Sequence, residues 1–223
     1  MTTTPPEGFR QHRFEPPKTA TTVILVRHGE SAAARPDEPF ALVDGHGDPP
    51  LHENGQRQAV LVGERLKSQR IDAIYVTTLQ RTSQTAAPLA AALGLTPVVV
   101  ADLREVHLGD WEGGLLRVKA AANDPVYEQM HTEQRWEVIP NAEPLATFVE
   151  RTQRGLRTIV DAHPGGRVVA VVHGGVIGCL LAHASGATSF AFNGSDNASI
   201  SELVVDGDRQ VVRRFNDSAH LYG

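Results

Sequence analysis

The feature that most constrains the fold of this chain is a pair of short apolar runs, at residues 22–26 (TVILV) and 167–172 (RVVAVV). Neither run alternates apolar with polar residues, a pattern typical of strands that are covered on both faces. Segments with helical periodicity lie between them along the chain. Strands that alternate with helices predict an α/β fold, here a three-layer α/β/α sandwich with a largely parallel central sheet.

Further segments extend this pattern on both sides of the sheet. Additional strands are predicted at residues 71–76 and 97–100, and helices at residues 54–69, 78–93 and 143–162. In the second of these helices, Thr78 is the predicted N-cap, Pro88 is expected to kink or divide the helix, and Gly94 ends it.

The last part of the chain predicts one more helix and a hairpin. A short helix is expected to begin at Val176, directly after the second apolar run. Residues 199–205 and 210–215 flank the turn Asp206-Gly207-Asp208, which is the pattern of two antiparallel strands joined by a tight turn.

The length of 223 residues suits one large α/β domain. Residues 1–20 are polar and rich in proline, and we expect a flexible N-terminal leader there, with a single domain at residues 21–223. Residues 115–142 contain Pro125 and Pro140 and are expected to form a partly helical insertion.

Composition narrows the class of protein. The net charge of −5 gives no overall attraction to nucleic acid or to an anionic membrane. Cys179 is the only cysteine, so an intrachain disulfide is impossible. No apolar run approaches the roughly 20 residues of a membrane helix, and residues 1–18 lack a signal core. We therefore expect a soluble cytoplasmic protein with a small-molecule partner and no nucleic-acid or membrane partner; a homodimer is left open.

Both apolar runs lead into a histidine that is followed by glycine. The first run continues as Arg27-His28-Gly29-Glu30 and the second as His173-Gly174-Gly175. Sites in parallel sheets lie at the carboxyl ends of the strands, and glycine lets an anion approach the backbone N–H groups. Either histidine alone is better interpreted as a strand-end residue with a local hydrogen bond. The pair indicates an anion site.

Arg81 is predicted in the first turn of a helix beside the same edge of the sheet. The helix macrodipole disfavours a cation at that position. Arg81 therefore indicates that an anion binds nearby, with a solvated surface arginine as the alternative interpretation.

Four strings resemble, in order, motifs of the histidine phosphatase superfamily, which includes cofactor-dependent phosphoglycerate mutases and many phosphatases. They are VRHGES (26–31), TLQRTSQTA (78–86), LREVHLGDWEG (103–113) and VVHGGVIG (171–178). The resemblance covers roughly residues 22–221. It implies a fold like that of phosphoglycerate mutase.

The resemblance also implies roles for individual residues. His28 would be the nucleophile that forms phosphohistidine, and imidazole suits this role because it is neutral and nucleophilic near pH 7. Glu105 would protonate the leaving oxygen and then deprotonate water. The phosphoryl oxygens would be held by Arg27, Arg81, His173 and Gly174.

Other residues compete for these roles. Asp110 and Glu112 are the alternative carboxylates to Glu105, which fits the family's acid position better. Ser31 is an alternative nucleophile, but no base is paired with it, and helix capping is the preferred interpretation.

The sequence departs from the family in the segment after the nucleophile. An asparagine that usually contacts the phosphate is absent from Ser31–Arg35 (SAAAR), and the connection to Asp48 is longer than usual. Arg35 and His46 are candidates to replace this contact, although a solvent-facing loop is the favoured interpretation of both. His52 is expected to affect only the start of a helix.

Hydrolysis is favoured over mutase chemistry. The mutase branch carries a glutamate-arginine-histidine-tyrosine-glycine run at this loop, whereas residues 104–109 (REVHLG) lack the arginine and the tyrosine that follow the glutamate. The region after Trp111 is also short of basic residues for a carboxylate. We predict a phosphatase acting on a phosphate monoester of a small molecule. The alternatives are a phosphoglycerate mutase-type transfer and an inactive phosphate-binding relative, although an inactive relative would not need to keep the catalytic acid.

No cofactor or metal is predicted. Residues 174–178 (GGVIG) depart from the dinucleotide-binding fingerprint, and no two histidines stand at helical ligand spacing. The substrate would be chosen by residues 31–50 and 115–142. Four side chains are candidates for an apolar leaving-group pocket, with core packing as the alternative: Trp111, Tyr127, Met130 and Trp136.

Overall fold

The computed structural model describes residues 11–222, and a six-stranded sheet forms the centre of their fold. Its strands, in spatial order, are β5 (Val98–Val99), β4 (Ala73–Val76), β6 (Arg167–Val172), β1 (Thr21–Arg27), β7 (Ile200–Asp206) and β8 (Arg209–Asp217). The first four of these run parallel, whereas β7 is antiparallel to both of its neighbours. The predicted largely parallel sheet is confirmed.

The helices cover both faces of this sheet. They are α1 (Glu53–Leu66), α2 (Gln80–Leu93), α3 (Leu115–Ala121), α4 (Pro125–Glu133), α5 (Leu145–Ala162) and α6 (Gly174–Ser185). One apolar cluster joins one face of the sheet to α5 and α6, and a second cluster joins the other face to α1 and α2. Because side chains alternate along a strand, the apolar runs supply both clusters at once: Val23 and Leu25 face one cluster, Ile24 and Val26 the other. The predicted three-layer architecture is confirmed.

The start of α2 differs from the prediction. The helix begins at Gln80, and Thr78 makes no capping hydrogen bond. Instead, the Gln80 N–H donates to Asp48 Oδ1 at 2.8 Å, so that a carboxylate from a distant loop caps the helix. The helix continues through Pro88, so the division considered there does not occur. It ends at Gly94 in the left-handed conformation, as expected.

The start of α6 also differs. The helix begins at Gly174, two residues before the predicted start at Val176, with His173 as its N-cap residue. The glycine pair therefore forms the first turn of the helix, and its N–H groups are oriented by the helix rather than by a loop.

The connection between β1 and α1 contains a ribbon that sequence reasoning missed. It is formed by β2 (Leu42–Val43) and β3 (His46–Gly47) about the turn Asp44-Gly45. The insertion at residues 115–142 is helical in part, as predicted. Pro125 begins α4 rather than interrupting it, because the first helical position needs no N–H donor.

Residues 1–10 of the predicted flexible leader lie outside the described residues. Residues 11–19 are exposed and form no strand or helix, and chain burial begins at Ala20. The Phe14 ring lies 4.0 Å from the Arg213 guanidinium carbon on β8, so this part of the leader contacts the domain.

The loop that carries His28 packs against α1 through two glycines. A Cβ at Gly29 would lie 2.6 Å from the Gly55 carbonyl oxygen, and a Cβ at Gly55 would lie 2.0 Å from the Glu30 carbonyl oxygen. Both contacts are with backbone atoms, which cannot rotate away. The close approach fixes the distance between the end of β1 and the first turn of α1.

We predict that Gly55→Ala lowers the free energy of unfolding by about 1–3 kcal/mol, because the added methyl forces the two backbones apart. Denaturant unfolding measures this loss. The matched control is Val60→Ala at an exposed position of the same helix, which should change stability by less than about 0.5 kcal/mol. Equal stabilities of the two variants would contradict the contact.

Candidate active site

His28 lies where the backbone of β1 meets that of β6. Its N–H donates to the Val172 carbonyl at 3.0 Å, and its own carbonyl accepts from Asn197 Nδ2 at 3.0 Å. The next two N–H groups donate to side chains of two helices on one face of the sheet, Gly29 to Thr85 Oγ1 on α2 and Glu30 to Gln58 Oε1 on α1. The backbone at and after His28 is therefore fixed by hydrogen bonds to β6, to Asn197 and to the helices α1 and α2.

The hydrogen bonds of His28 determine its tautomer. Nδ1 lies 2.8 Å from the Gly29 carbonyl oxygen, which can only accept, so Nδ1 carries the ring proton. Arg81 Nε donates to Nε2 at 3.2 Å, so Nε2 bears the lone pair. The nitrogen that faces the arginine is the one able to attack an electrophile.

The surroundings of His28 keep it uncharged. Burial is the main cause that lowers its pKa well below 6.5, and the guanidinium groups of Arg81 and Arg27 lower it further. A neutral imidazole is the nucleophilic form, so these cations maintain the reactive state of His28 at neutral pH.

Arg81 is buried and remains a cation. Its Nη1 donates to the Gly47 carbonyl at 2.9 Å and lies 3.8 Å from Asp48 Oδ1. Burial lowers its pKa to about 10, and the nearby Glu105 and Asp48 partly oppose this. At neutral pH the group therefore stays protonated beside the lone pair of His28.

Arg27 brings a second guanidinium to the site and is partly buried. Its Nη1 donates to the Ser195 carbonyl, whereas its Nε has no hydrogen-bond partner in the described part of the chain. A Cβ at Gly174 would lie 3.5 Å from that Nε, so the first turn of α6 passes directly beside it. A buried N–H donor without a partner is costly, and an anion at this point would satisfy it.

His173 packs edge-on against His28, with ring centroids 5.2 Å apart. Its Nε2 lies 3.0 Å from Thr77 Oγ1, and its Nδ1 has no partner among residues 11–222. Burial lowers the pKa of His173 well below 6.5, and Arg81 and His28 add to the effect. Like His28, it is an uncharged imidazole.

Glu105 reaches the same site from the loop after β5. Its Oε2 accepts from the Gly175 N–H at 3.1 Å, at the N-terminus of α6, and its Oε1 accepts from the Val106 N–H at 3.0 Å. A Cβ at Gly175 would lie 2.4 Å from Oε1, so only glycine lets the carboxylate approach the helix this closely.

Of the two competing carboxylates, one is exposed and the other lines the site and accepts its own pair of backbone N–H groups. Asp110 is exposed and accepts from Asn141 Nδ2 at 2.9 Å. Glu112 lines the site, but its two oxygens accept the Gly47 and Leu108 N–H groups at 2.7 and 2.9 Å. These bonds give Glu112 a structural function, because they join β3 to the loop that carries Glu105.

Four of the sequence-predicted residues line one small cavity of about 150 Å³: Arg27, His28, Arg81 and Glu105. His173 lies behind His28 and Gly174 beside Arg27, so all six predicted residues lie in one region. A larger cavity of about 670 Å³ lies against α5 and the β7–β8 turn, and none of the six lines it.

Arg117 is a site residue that sequence reasoning missed. It projects from α3 of the insertion and lines the small cavity as well as an adjoining one of about 540 Å³. Its guanidinium donates to Ser31 Oγ at 2.7 Å and to the Ala32 carbonyl at 2.9 Å. The expectation that the region after Trp111 is short of basic residues was wrong in this respect, because a helix turn carries Arg117 back to the site.

Arg151 is a second missed residue. From α5 it donates to the carbonyls of Asp102, Arg104 and Glu105 at 2.7–2.8 Å, while Glu143 pairs with it at 2.7 Å. It fixes the backbone that carries Glu105. An arginine that donates hydrogen bonds to backbone carbonyls has partners of any residue type, so no sequence motif indicates its role.

The loop residues behave differently from one another. Arg35 is exposed and pairs with Glu38, as expected for a solvent-facing loop. His46 is buried and lines the small cavity, so the solvent-facing interpretation was wrong for it; pairing of β2 with β3 turns it inward. The capping interpretation of Ser31 was wrong, because the first helix among the described residues begins only at Glu53; the Ser31 hydroxyl accepts from Arg117 instead. His52 caps α1 through its Nδ1, as expected.

The aromatic candidates for a leaving-group pocket belong to the core. Trp111, Met130 and Trp136 are buried in the apolar cluster on the α5 side of the sheet, and Tyr127 packs against it. Over residues 11–222, no helix is long and apolar enough to cross a membrane, and no group of three or more His, Cys, Asp or Glu is placed to hold a metal ion.

Comparison with known proteins gives a match to the model of the histidine phosphatase superfamily (branch 1) over residues 23–218. Phosphoglycerate mutase-like protein 4 of Arabidopsis thaliana is 33% identical over 205 residues, 89% of this chain and 86% of the relative. The metal-independent phosphoserine phosphatase of Arabidopsis thaliana is 30% identical over 210 residues, 90% of this chain and 83% of the relative.

A solved structure with the same fold is mycobacterial glucosyl-3-phosphoglycerate phosphatase. Its TM-score against this chain is 0.75 at 27% identity, with coverage of 89% of this chain and 100% of that one. That phosphatase has also been solved in complex with inorganic phosphate.

The lowered pKa values of His28 and His173 predict how stability depends on pH. Unfolded histidine titrates near pH 6.5, so below that pH the unfolded chain binds protons that the folded chain does not. The free energy of unfolding should therefore fall as pH decreases below about 6.5, by about 1.4 kcal/mol per pH unit for each such histidine.

Denaturant unfolding between pH 7 and pH 5 measures this slope. His28→Asn should reduce the slope by about one histidine's share, since the unfolded chain then has one fewer site to protonate. An unchanged slope in this variant would show that His28 is not held neutral by the fold.

Proposed function

The chain belongs to the histidine phosphatase superfamily, and we propose that it hydrolyses phosphate monoesters of small molecules through a phosphohistidine at His28. The observation that carries this proposal is the state of His28 itself. Its Nε2 bears a lone pair, lies 3.2 Å from Arg81 Nε, and belongs to an imidazole that burial and two guanidinium groups keep neutral. A neutral nucleophile surrounded by cations is suited to attack a phosphoryl dianion.

The first step transfers the phosphoryl group to the enzyme. His28 Nε2 attacks phosphorus, the bond from phosphorus to the ester oxygen breaks, and protonated Glu105 gives its proton to the departing oxygen. Arg27 and Arg81 neutralise charge on the equatorial oxygens, and Arg27 Nε is a donor that has no partner among the residues that the structure describes. The alcohol then leaves.

The second step returns the enzyme to its starting state. The carboxylate of Glu105 takes a proton from water, water oxygen attacks phosphorus, and the nitrogen–phosphorus bond breaks. The products are inorganic phosphate and neutral His28, with Glu105 protonated again. The position of Glu105 beside the cavity, held by the Gly175 N–H, supports both proton transfers.

Two observations bear on the choice between hydrolysis and mutase chemistry. The named relatives include phosphatases acting on phosphoserine and on glucosyl-3-phosphoglycerate, as well as a mutase-like protein. Residues 104–109 (REVHLG) also lack the arginine and the tyrosine that follow the glutamate in the mutase branch. Arg117 supplies a cation at the cavity mouth, so mutase-type transfer is kept as the second candidate. Release of inorganic phosphate from 3-phosphoglycerate without formation of 2-phosphoglycerate would exclude the mutase.

Two further properties complete the proposal. The expected substrate is a small phosphate ester, because the reactive part of the site is a cavity of about 150 Å³. A cytoplasmic location is proposed as well, supported by a single cysteine, Cys179, which is buried as a free thiol.

We predict that Glu105→Gln slows hydrolysis of alkyl phosphates by about 100-fold or more but affects p-nitrophenyl phosphate far less. The nitrophenolate leaving group is stable as an anion and needs little protonation, whereas an alkoxide requires the acid. The measurement is kcat/KM for both ester classes. Asp110→Asn is the matched control and should change neither. Equal losses in Glu105→Gln on both substrates would remove Glu105 from the acid function.

The covalent intermediate gives a separate prediction. Rapid quenching in alkali of enzyme mixed with substrate should leave phosphate on a peptide that contains His28, because phosphohistidine survives alkali and is labile in acid. His28→Ala should abolish labelling and turnover together. His173→Ala should still be labelled, with turnover slower by about 10²–10³-fold, as when one oxyanion donor is lost. Label on His173 or Ser31 would overturn the assignment.

A further inference from the structure

Thr77 brings a hydroxyl group to the ring of His173. It follows β4 directly, is buried, and places Oγ1 3.0 Å from His173 Nε2. His173 has no exposed surface either. Water therefore does not compete for this contact, and the two groups determine each other's hydrogen bonding.

The other ring nitrogen of His173 has no protein partner. Nδ1 is buried without a hydrogen bond in the described part of the chain, while the ring lies edge-on to His28. The ring is uncharged, since burial and Arg81 lower its pKa well below 6.5. A neutral imidazole carries one proton, so one nitrogen is a donor and the other an acceptor.

The hydrogen bonds around Thr77 leave its proton available to His173. The Thr82 hydroxyl lies 2.8 Å from the Leu79 carbonyl, which can only accept, and so uses its own proton there. The Leu79 N–H donates to Thr77 Oγ1 at 3.3 Å. Two acceptors remain for the Thr77 proton, His173 Nε2 at 3.0 Å and Thr82 Oγ1 at 3.2 Å, and the shorter contact is to the histidine.

We propose that Thr77 is a positioning residue whose hydroxyl donates to His173 Nε2 and thereby holds the ring proton on Nδ1, where it donates to a phosphoryl oxygen. The proposal rests on the proposed function, since it assigns a task to Thr77 within that site. The opposite tautomer would present a lone pair to the bound anion. Thr77 thus lets an uncharged histidine donate a hydrogen bond to the phosphoryl group.

Nitrogen NMR of the intact protein tests the tautomer directly. With selectively labelled histidine and with inorganic phosphate as the ligand, His173 should show a protonated Nδ1 and an unprotonated Nε2. Thr77→Val should shift the phosphate-free protein toward the Nε2-protonated form, because the valine side chain offers no donor. A proton on Nε2 of the wild-type protein with phosphate bound would overturn the proposal.

Kinetics of three variants supply the second test. Thr77→Val should lower kcat/KM by about 10- to 100-fold, the range found when an outer partner of a metal-bound histidine is lost. It should weaken inhibition by inorganic phosphate by a similar factor. Thr77→Ser keeps the hydroxyl and should recover most of both. Thr78→Val is the matched control and should behave as the wild type, because the adjacent Thr78 hydroxyl is buried and has no hydrogen-bond partner within residues 11–222.

The outcomes separate this proposal from the proposed function. If the wild-type protein hydrolyses no phosphate ester, the proposed function fails, whereas the histidine spectra still decide which nitrogen Thr77 serves. If Thr77→Val behaves as Thr78→Val in both rate and tautomer, the inference fails while phosphatase activity stands. Should Thr77→Val not fold, the wild-type spectra with phosphate and the activity of Thr77→Ser decide.

Discussion

The parallel pairing of β1 with β6 is the constraint on which the rest of the structure depends. Its register sets Arg27 opposite Val172, so the chain leaves both strands at the same level. The hydrogen bond from the His28 N–H to the Val172 carbonyl then carries the pairing one residue beyond the strand. Two histidines distant in sequence become neighbours because backbone geometry, rather than side-chain attraction, brings their strands together.

The cationic side chains at this edge of the sheet lower the stability of the fold and favour the binding of an anion. Arg81 is buried, Arg27 is partly buried, and the imidazoles of His28 and His173 near them are held neutral. A buried N–H donor without a partner costs stability, and Arg27 Nε is such a donor within residues 11–222. A phosphoryl group would satisfy these donors and compensate the charge. The features that cost stability are therefore those that would bind the substrate and activate His28.

Positioning of the site residues comes from a surrounding layer of hydrogen bonds. Thr85 and Gln58 hold the loop after His28, Arg151 holds the backbone of Glu105, and Thr77 contacts His173. Three of these partners lie on the helices α1, α2 and α5, which cover both faces of the sheet, and Thr77 lies in the loop directly after β4. The site is consequently a property of the assembled sandwich, which explains why its residues are spread from position 27 to position 174.

The sequence by itself determined the fold class, the order of the central elements and the family, because apolar periodicity and ordered motifs are local signals. It also brought forward Arg27, His28, Arg81, Glu105 and His173 as candidates, whose catalytic functions remain predictions. Tertiary structure decided what depends on distant contacts. Asp48 rather than Thr78 caps α2, His46 turns inward with its ribbon, and Arg117 reaches the cavity from the insertion. The physical reason is that each of these features depends on a partner that no local pattern encodes. The cap from Asp48 and the contacts of Arg117 join residues more than 30 positions apart, and the burial of His46 depends on the pairing of β2 with β3.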